Sequence, residues 1–307
     1  MCGIAMIRLL KPLDYYQKKY GTWEYGLQKM YLLMEKQHNR GQEGAGIATL
    51  KLDMPPGEEY ISRKRIEGKN AIQEIFVDID KNHSLAPEDY SSDAAKAKMF
   101  CPFAGELYLG HLRYSTSGKS GLSYIHPFLR RHNWKSRTLV LAGNFNLTNV
   151  DEIFQSLTAQ GQHPRDKSDT FLMLESLGDK LDREVQREYE IIKQRYSNDQ
   201  VITRKIEENL DIASFIRKSE HIWDGGYVIC GMLGHGDSFL FRDPKGIRTA
   251  FYYADDEIIV AASERPVIQT AINVKAEQVH ELKPGEALII KKNGSMHFET
   301  IREADPE

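Results

Sequence analysis

The order of segments in this 307-residue chain predicts an α+β fold in which antiparallel sheets are covered by helices. Three observations carry that reading. Short apolar runs bounded by Gly, Asp or Pro dominate both ends of the chain, and stretches of helical periodicity fill the middle. Nowhere do the two alternate in the regular β-α order of a doubly wound sheet. With no internal repeat and no low-complexity linker, a single domain over residues 2–307 is expected.

Residues 4–10 read as a buried strand that starts directly after Cys2-Gly3. Thr22 then caps a helix with apolar positions Trp23, Leu27, Met30 and Met34, which ends near Gly41. Residues 46–52 form a second strand, and 78–105, rich in Ser, Asp, Lys and Ala, read as a surface insertion. Further strands are expected at 107–114, 138–143, 227–233, 238–241, 249–253 and 257–262. Helical periodicity marks 150–160, 170–181 and two charged stretches within 183–219. A turn at Lys283-Pro284-Gly285-Glu286 joins strands at 278–282 and 287–291.

Basic and acidic residues, 41 and 44, are mixed along the chain for a net charge of -3, so no long-range field favours nucleic acid or an anionic membrane. Small-molecule chemistry is the default. The three cysteines, Cys2, Cys101 and Cys230, form neither a C-x-x-C pair nor an even disulfide set, which suits a reducing cytoplasm. No apolar run reaches the roughly 20 residues of a membrane span, and the N-terminus lacks the regions of a signal peptide.

Cys2 is the first candidate for chemistry. Removal of Met1 before a small residue leaves a thiol and a free α-amine on one residue, joining nucleophile and base. An α-amine of pKa about 7.7–8.0 is partly neutral near pH 7 and can accept the proton of a thiol whose free pKa is about 8.5. The N–C–C–S path is too short for a well-aligned direct hydrogen bond, so a bridging water is expected. Taken alone, Met-Cys is more often a thiol that merely packs.

Other strings in a consistent order change that weighting. Met1-Cys2-Gly3-Ile4, the run from Gln37 to Ile47 (QHNRGQEGAGI), the run from Gly110 to Gly118 (GHLRYSTSG) and the run from Gly143 to Asn149 (GNFNLTN) closely resemble the class II glutamine amidotransferase domain. Ser168-Asp169-Thr170, Asp224-Gly225-Gly226-Tyr227, the run from Phe241 to Arg248 (FRDPKGIR) and Ala262-Ser263-Glu264 resemble its amidophosphoribosyltransferase branch. The resemblance extends from Cys2 to about residue 295. It implies the N-terminal-nucleophile hydrolase fold, a four-layer αββα sandwich of two antiparallel sheets. It also implies hydrolysis of the glutamine side-chain amide, in the setting of purine biosynthesis.

A guanidinium at a strand end can hold a carboxylate through two parallel hydrogen bonds, so Arg113 is assigned the glutamine α-carboxylate, with Tyr114 and Thr116 beside it. His126-Pro127-Phe128 resembles the family's loop along the same pocket. Asp169, at the start of a helix, suits a capping role, and the resemblance assigns it to the substrate's α-ammonium; different carboxylate oxygens can serve both. Asn144 and the backbone N–H of Phe145 are the expected oxyanion hole. Here the chain departs from the family, which usually has Asn-Gly. A Phe at positive φ is strained, so either the turn differs, with Gly143 as the flexible position, or Phe145 carries the strain. Asn39 is a second departure, standing where the family has His; Arg40 and Gly41 are retained as supporting residues, and Gly44 and Gly46 read as sites of close backbone approach.

Cys230 reads as an inert buried thiol, Cys101, His221 and His235 lack partners at ligand spacing, and neither a metal nor a cofactor is assigned. Glutamine is the expected ligand, and a phosphoribosyltransferase domain or subunit the expected recipient of ammonia. The acidic pair and small-residue phosphate loop of such a domain are not found in this sequence; Asp255-Asp256 precedes a strand instead. Exposed apolar surface is expected where that partner docks, and a homo-oligomer is left open. Two alternatives stand beside this reading: an N-terminal-nucleophile amidase acting on another amide, which needs no zwitterion clamp, and a catalytically silent regulatory or scaffold module.

Overall fold

A computed structural model describes residues 1–114 and 121–305. The strands, in chain order, are β1 (Gly3–Leu9), β2 (Gly44–Leu50), β3 (Ile61–Glu67), β4 (Leu107–Arg113), β5 (Phe128–Arg130), β6 (Leu139–Leu147), β7 (Gly225–Leu233), β8 (Ser238–Arg242), β9 (Phe251–Ala254), β10 (Ile258–Ala262), β11 (His280–Glu281), β12 (Glu286–Ile290) and β13 (Met296–Thr300). The helices are α1 (Leu13–Tyr20), α2 (Tyr25–Lys36), α3 (Ala71–Ser84), α4 (Glu88–Ser92), α5 (Ala94–Phe100), α6 (Val150–Ala159), α7 (Asp169–Ile192), α8 (Asp199–Asn209), α9 (Ile212–Glu220) and α10 (Arg265–Ile272). No helix among the described residues is long and apolar enough to cross a membrane.

Two antiparallel sheets result. One runs β11-β9-β10-β1-β4-β2-β3 and the other β13-β12-β8-β7-β6-β5. Side chains alternate between the faces of a strand, and here both faces are covered, which is why the strands read as continuous apolar runs. From β1, Ile4 and Met6 enter the core between the sheets, where they join Leu107, Leu109, Val140, Ala142, Val228 and Cys230. Ala5, Ile7 and Leu9 point the other way, into a core shared with Met30, Met34, Ile72 and Val267 of the helical layer. On the second sheet, Leu139, Leu141, Ile229 and Phe239 meet Leu172, Leu177 and Phe215 of α7 and α9. The layers are therefore helix, sheet, sheet and helix, as the resemblance implies.

Several expectations need correction. Residues 78–105 are not a surface insertion: α3, α4 and α5 occupy most of them, and Ile79, Ala94, Ala97, Cys101 and Phe103 are buried in the core of the first helical layer. Their charged residues cover the outside of helices whose inner face is apolar. The helix expected from Thr22 begins at Tyr25, with the Thr22 hydroxyl accepting the Glu24 N–H at 3.0 Å. It ends at Lys36 and is followed by a single 3₁₀ turn, His38–Arg40. The strand at 278–282 shortens to β11, whereas α1, β3, β5, α10 and β13 had no counterpart among the expected elements.

Gly44 and Gly46 are sites of close approach as expected, because the segment before β5 crosses β2. A Cβ at Gly46 would lie 1.9 Å from the His126 carbonyl oxygen, a backbone atom held by its own loop. Gly46→Ala should therefore destabilise the fold by roughly 1–3 kcal/mol in urea unfolding, as overpacking does. A change within about 0.5 kcal/mol, the range of a neutral surface substitution, would refute that packing.

Candidate active site

Strand parity brings the predicted residues together. Cys2 continues the row of Ile4 and Met6, Arg113 that of Leu107 and Leu109, and Asn144 that of Val140 and Ala142, so all three leave the inter-sheet core at one end of the sandwich. There they line a cavity of about 250 Å³ with Met1, Tyr114, Tyr124, His126, Phe145, Asp169, Thr170 and Arg248. A roomier cleft of about 980 Å³, lined by Trp23, Phe76 and His83, contains none of the predicted site residues.

Cys2 is buried, and its Sγ lies 3.5 Å from both the carbonyl oxygen and the amide nitrogen of Tyr114. The thiol can donate to the carbonyl, and the amide N–H can donate to the sulfur once it is ionised. The start of β1 is tied down on both sides. Ile4 N–H donates to Ser263 Oγ at 3.0 Å, and the buried Gln37 amide donates to Ile4 O at 2.9 Å. Arg40 reaches Glu264 at 3.1 Å, and Gly41 lies against the Leu112–Arg113 backbone, where a Cβ would not fit. The α-amine carried by Met1 is held below its ordinary range, first by burial and further by the Arg40 and Arg248 guanidiniums, against opposing pulls from Cys2 and Glu43.

The Arg113 guanidinium sits 5.7 Å from the centre of the Tyr124 ring, within cation–π reach. Asp169 is the first residue of α7, with Ser168 as N-cap, and its Oδ1 accepts the Thr170 N–H at 3.2 Å. Burial raises the Asp169 carboxyl above its usual range, although backbone N–H groups of Thr170, Asp169 and Leu147 and the Arg113 charge pull the other way. Thr116 lies outside the described residues.

The expectation for Phe145 is corrected. Strand β6 does not turn at Asn144; it runs on to Leu147, with Asn144 opposite Val228 and Phe145 opposite Tyr227 on β7. Neither Gly143 nor Phe145 has a positive φ. Gly143 instead makes room for a ring: Phe145 folds back over it, so that a Cβ there would lie 2.0 Å from a ring carbon. Asn144 is 4% exposed and lines the cavity.

Several residues without an assigned role in the sequence, and His126 of the loop expected along the pocket, build this end of the molecule. Gln37 and Ser263 stood in the quoted strings, but their partner, the Ile4 backbone, is remote in the chain. Arg248 is delivered to the cavity by buried Asp243, which accepts the N–H groups of Tyr227, Ile247 and Arg248. His126 is buried and held by three elements. Of the remaining cysteines, Cys230 is fully buried with its thiol pushed up by burial, and Cys101 is buried in the core of the first helical layer and does not line the cavity. His235 pairs with Asp237 at 3.1 Å, also away from that lining. Among the described residues no three His, Cys, Asp or Glu side chains group as metal ligands.

The raised Asp169 carboxyl has a signed consequence for stability. Below the unfolded carboxylate range, about pH 3.9, both states are protonated and no penalty arises; as pH rises towards the higher folded value, ionising the half-buried group increasingly disfavours the fold. Asp169→Asn should thus gain stability relative to the parent chain between about pH 4 and pH 7. Thermal melts across that window check it, and a variant that gains nothing at the upper end refutes the unfavourable burial.

No family model matches the chain. Curated relatives named amidophosphoribosyltransferase do match it. That of Archaeoglobus fulgidus is 27% identical over 275 residues, covering 90% of this chain and 47% of the relative. That of Escherichia coli K12 is 26% identical over 304 residues, covering 96% and 47%. That of Lacticaseibacillus casei is 32% identical over 136 residues, covering 44% and 56%. The chain spans about half the length of the curated relatives it matches. Among solved structures, the glutamine phosphoribosylpyrophosphate amidotransferase of B. subtilis complexed with ADP and GMP aligns with a TM-score of 0.59 at 23% identity, over 98% of this chain and 49% of that one. A structure of the allosteric regulatory enzyme of purine biosynthesis gives the same TM-score and coverage. The chain is therefore a homologue of the amidophosphoribosyltransferases over nearly its whole length, built on the N-terminal-nucleophile hydrolase fold.

Proposed function

We propose that this chain hydrolyses the side-chain amide of L-glutamine to glutamate and ammonia. One observation carries the reading: a thiol, a guanidinium, a carboxylate and an amide converge on one small cavity from remote parts of the chain. Arg113 and Asp169 have the charges to hold the α-carboxylate and α-ammonium of an amino acid, leaving its side chain directed at Cys2.

With Met1 removed, the α-amine of Cys2 takes the thiol proton through a water molecule, and the thiolate attacks the amide carbon. The oxyanion is held by the Asn144 side chain and the Phe145 backbone N–H. Collapse of this intermediate breaks the C–N bond, ammonia leaves with the proton returned by the amine, and a thioester remains on Cys2. Water, deprotonated by the same amine, then hydrolyses the thioester to glutamate. Arg40, paired with Glu264, keeps a positive charge near Cys2.

Ammonia release suits a partner that consumes it. By relation to the amidophosphoribosyltransferases, that partner is a phosphoribosyltransferase domain or subunit, and exposed Tyr114 beside the cavity offers it apolar surface. With Phe145 in ordinary extended backbone, the observation that motivated a catalytically silent module falls away.

Glutamate release should disappear in Cys2→Ala and in a version carrying one additional residue before Cys2. Asn144→Ala should lower kcat by about 100- to 1,000-fold. Arg113→Ala and Asp169→Ala should act mainly by raising KM for glutamine. Equal release from the parent chain, Cys2→Ala and the extended version would sink the reading; full glutamine turnover after loss of both clamp residues would favour an amidase of different specificity.

A further inference from the structure

His126 joins the two sides of the site through its ring and backbone together. Its backbone N–H donates to His111 Nδ1 on β4 at 3.2 Å, and its carbonyl oxygen fills the space left open by Gly46 on β2. Its ring stacks on His111 with centroids 4.0 Å apart. The Gly143 N–H on β6 donates to its Nδ1 at 3.2 Å, which places the imidazole proton on Nε2. Nε2 then donates to the Thr170 hydroxyl of α7 at 2.7 Å. Gly143 immediately precedes Asn144, and Thr170 immediately follows Asp169.

We propose that His126 is a positioning residue that sets the distance between the oxyanion strand and the ammonium-binding carboxylate, by bonding the Gly143 amide and the Thr170 hydroxyl at the same time. This rests on the glutaminase reading above. Only a neutral imidazole can accept at one nitrogen while donating at the other; burial, with Arg113 adding to it, holds the His126 pKa down to about 3, so the ring stays in that form at neutral pH. A misplacement of about 1 Å at a reacting site costs on the order of 100-fold in rate, which is the scale on which such a spacer acts.

The test uses the full chain with Met1 removed and compares His126→Phe, His126→Gln and Thr170→Val by glutamate release and thermal melting. Phe keeps an aromatic ring for the stack but neither accepts nor donates, whereas the Gln side-chain amide presents both functions. His126→Phe and Thr170→Val should lower kcat/KM on the order of 10- to 100-fold, with kcat falling through the Asn144 strand and KM rising through Asp169. His126→Gln should recover most of that loss. Thr170→Val decides the matter should His126→Phe fail to fold. The inference is overturned when His126→Gln falls as far as His126→Phe at equal thermal stability, or when Thr170→Val stays within about twofold of the parent chain in both constants. A parent chain that releases no glutamate overturns the glutaminase reading and this inference with it, whereas an active parent with insensitive variants overturns only this inference.

Discussion

Two antiparallel sheets share one apolar interface, and the register of the strands that enter it decides where every group of the site lies. Because side chains alternate with a period of two, the rows that fill the inter-sheet core continue at one end into Cys2, Arg113 and Asn144. A slip of one residue in β1, β4 or β6 would move one of these groups to the helical face and an apolar side chain into the cavity. The start of β1 is pinned accordingly: Gln37 and Ser263 take the Ile4 carbonyl and amide beyond what the ladder supplies. Cys2 is thereby held at the frayable end of a strand, where few ladder bonds remain to position it.

Opposite charges, Arg113 and Asp169, line the same cavity. Asp169 sits at a helix start, where the dipole and backbone N–H groups favour its ionised form, yet burial outweighs them and raises its pKa. The buried imidazoles of His111 and His126 are both neutral, so they contribute hydrogen bonds without adding positive charge beside Arg113. A cation bound against Asp169 and a carboxylate against Arg113 would relieve the unfavourable burial of the former. The cavity disfavours its own ionised carboxylate.

Much of the fold was legible where chemistry is local. Alternation, turn residues and helical periodicity located most strands and the helices of the middle of the chain, because both faces of each sheet are covered and the runs are therefore strongly apolar. The helices across 71–100 were not legible: their charged outer faces dominate the composition, and the buried side is marked by a few residues such as Ile72, Ile75, Phe76, Ile79, Ala94 and Ala97. Phe145 was misread for a different reason. Its backbone conformation follows from pairing with Tyr227, more than 80 residues away in the chain, and a turn inferred from Asn144-Phe145-Asn146 alone has no access to that partner.

What the sequence by itself determined is the class of fold and the location of the groups that the proposed reaction needs: a thiol at residue 2, a strand-end guanidinium, a helix-start carboxylate and an Asn. These depend on residue type, short-range periodicity and ordered motifs, all of which survive in one dimension. Only the tertiary structure decided that four of them face one cavity, that Gly143 makes room for the Phe145 ring, and that His126 ties β4, β6 and α7 into one frame. The reason is physical. Distances of about 3 Å between residues separated by tens of positions are set by sheet register and by packing between layers, and neither is encoded in any local segment.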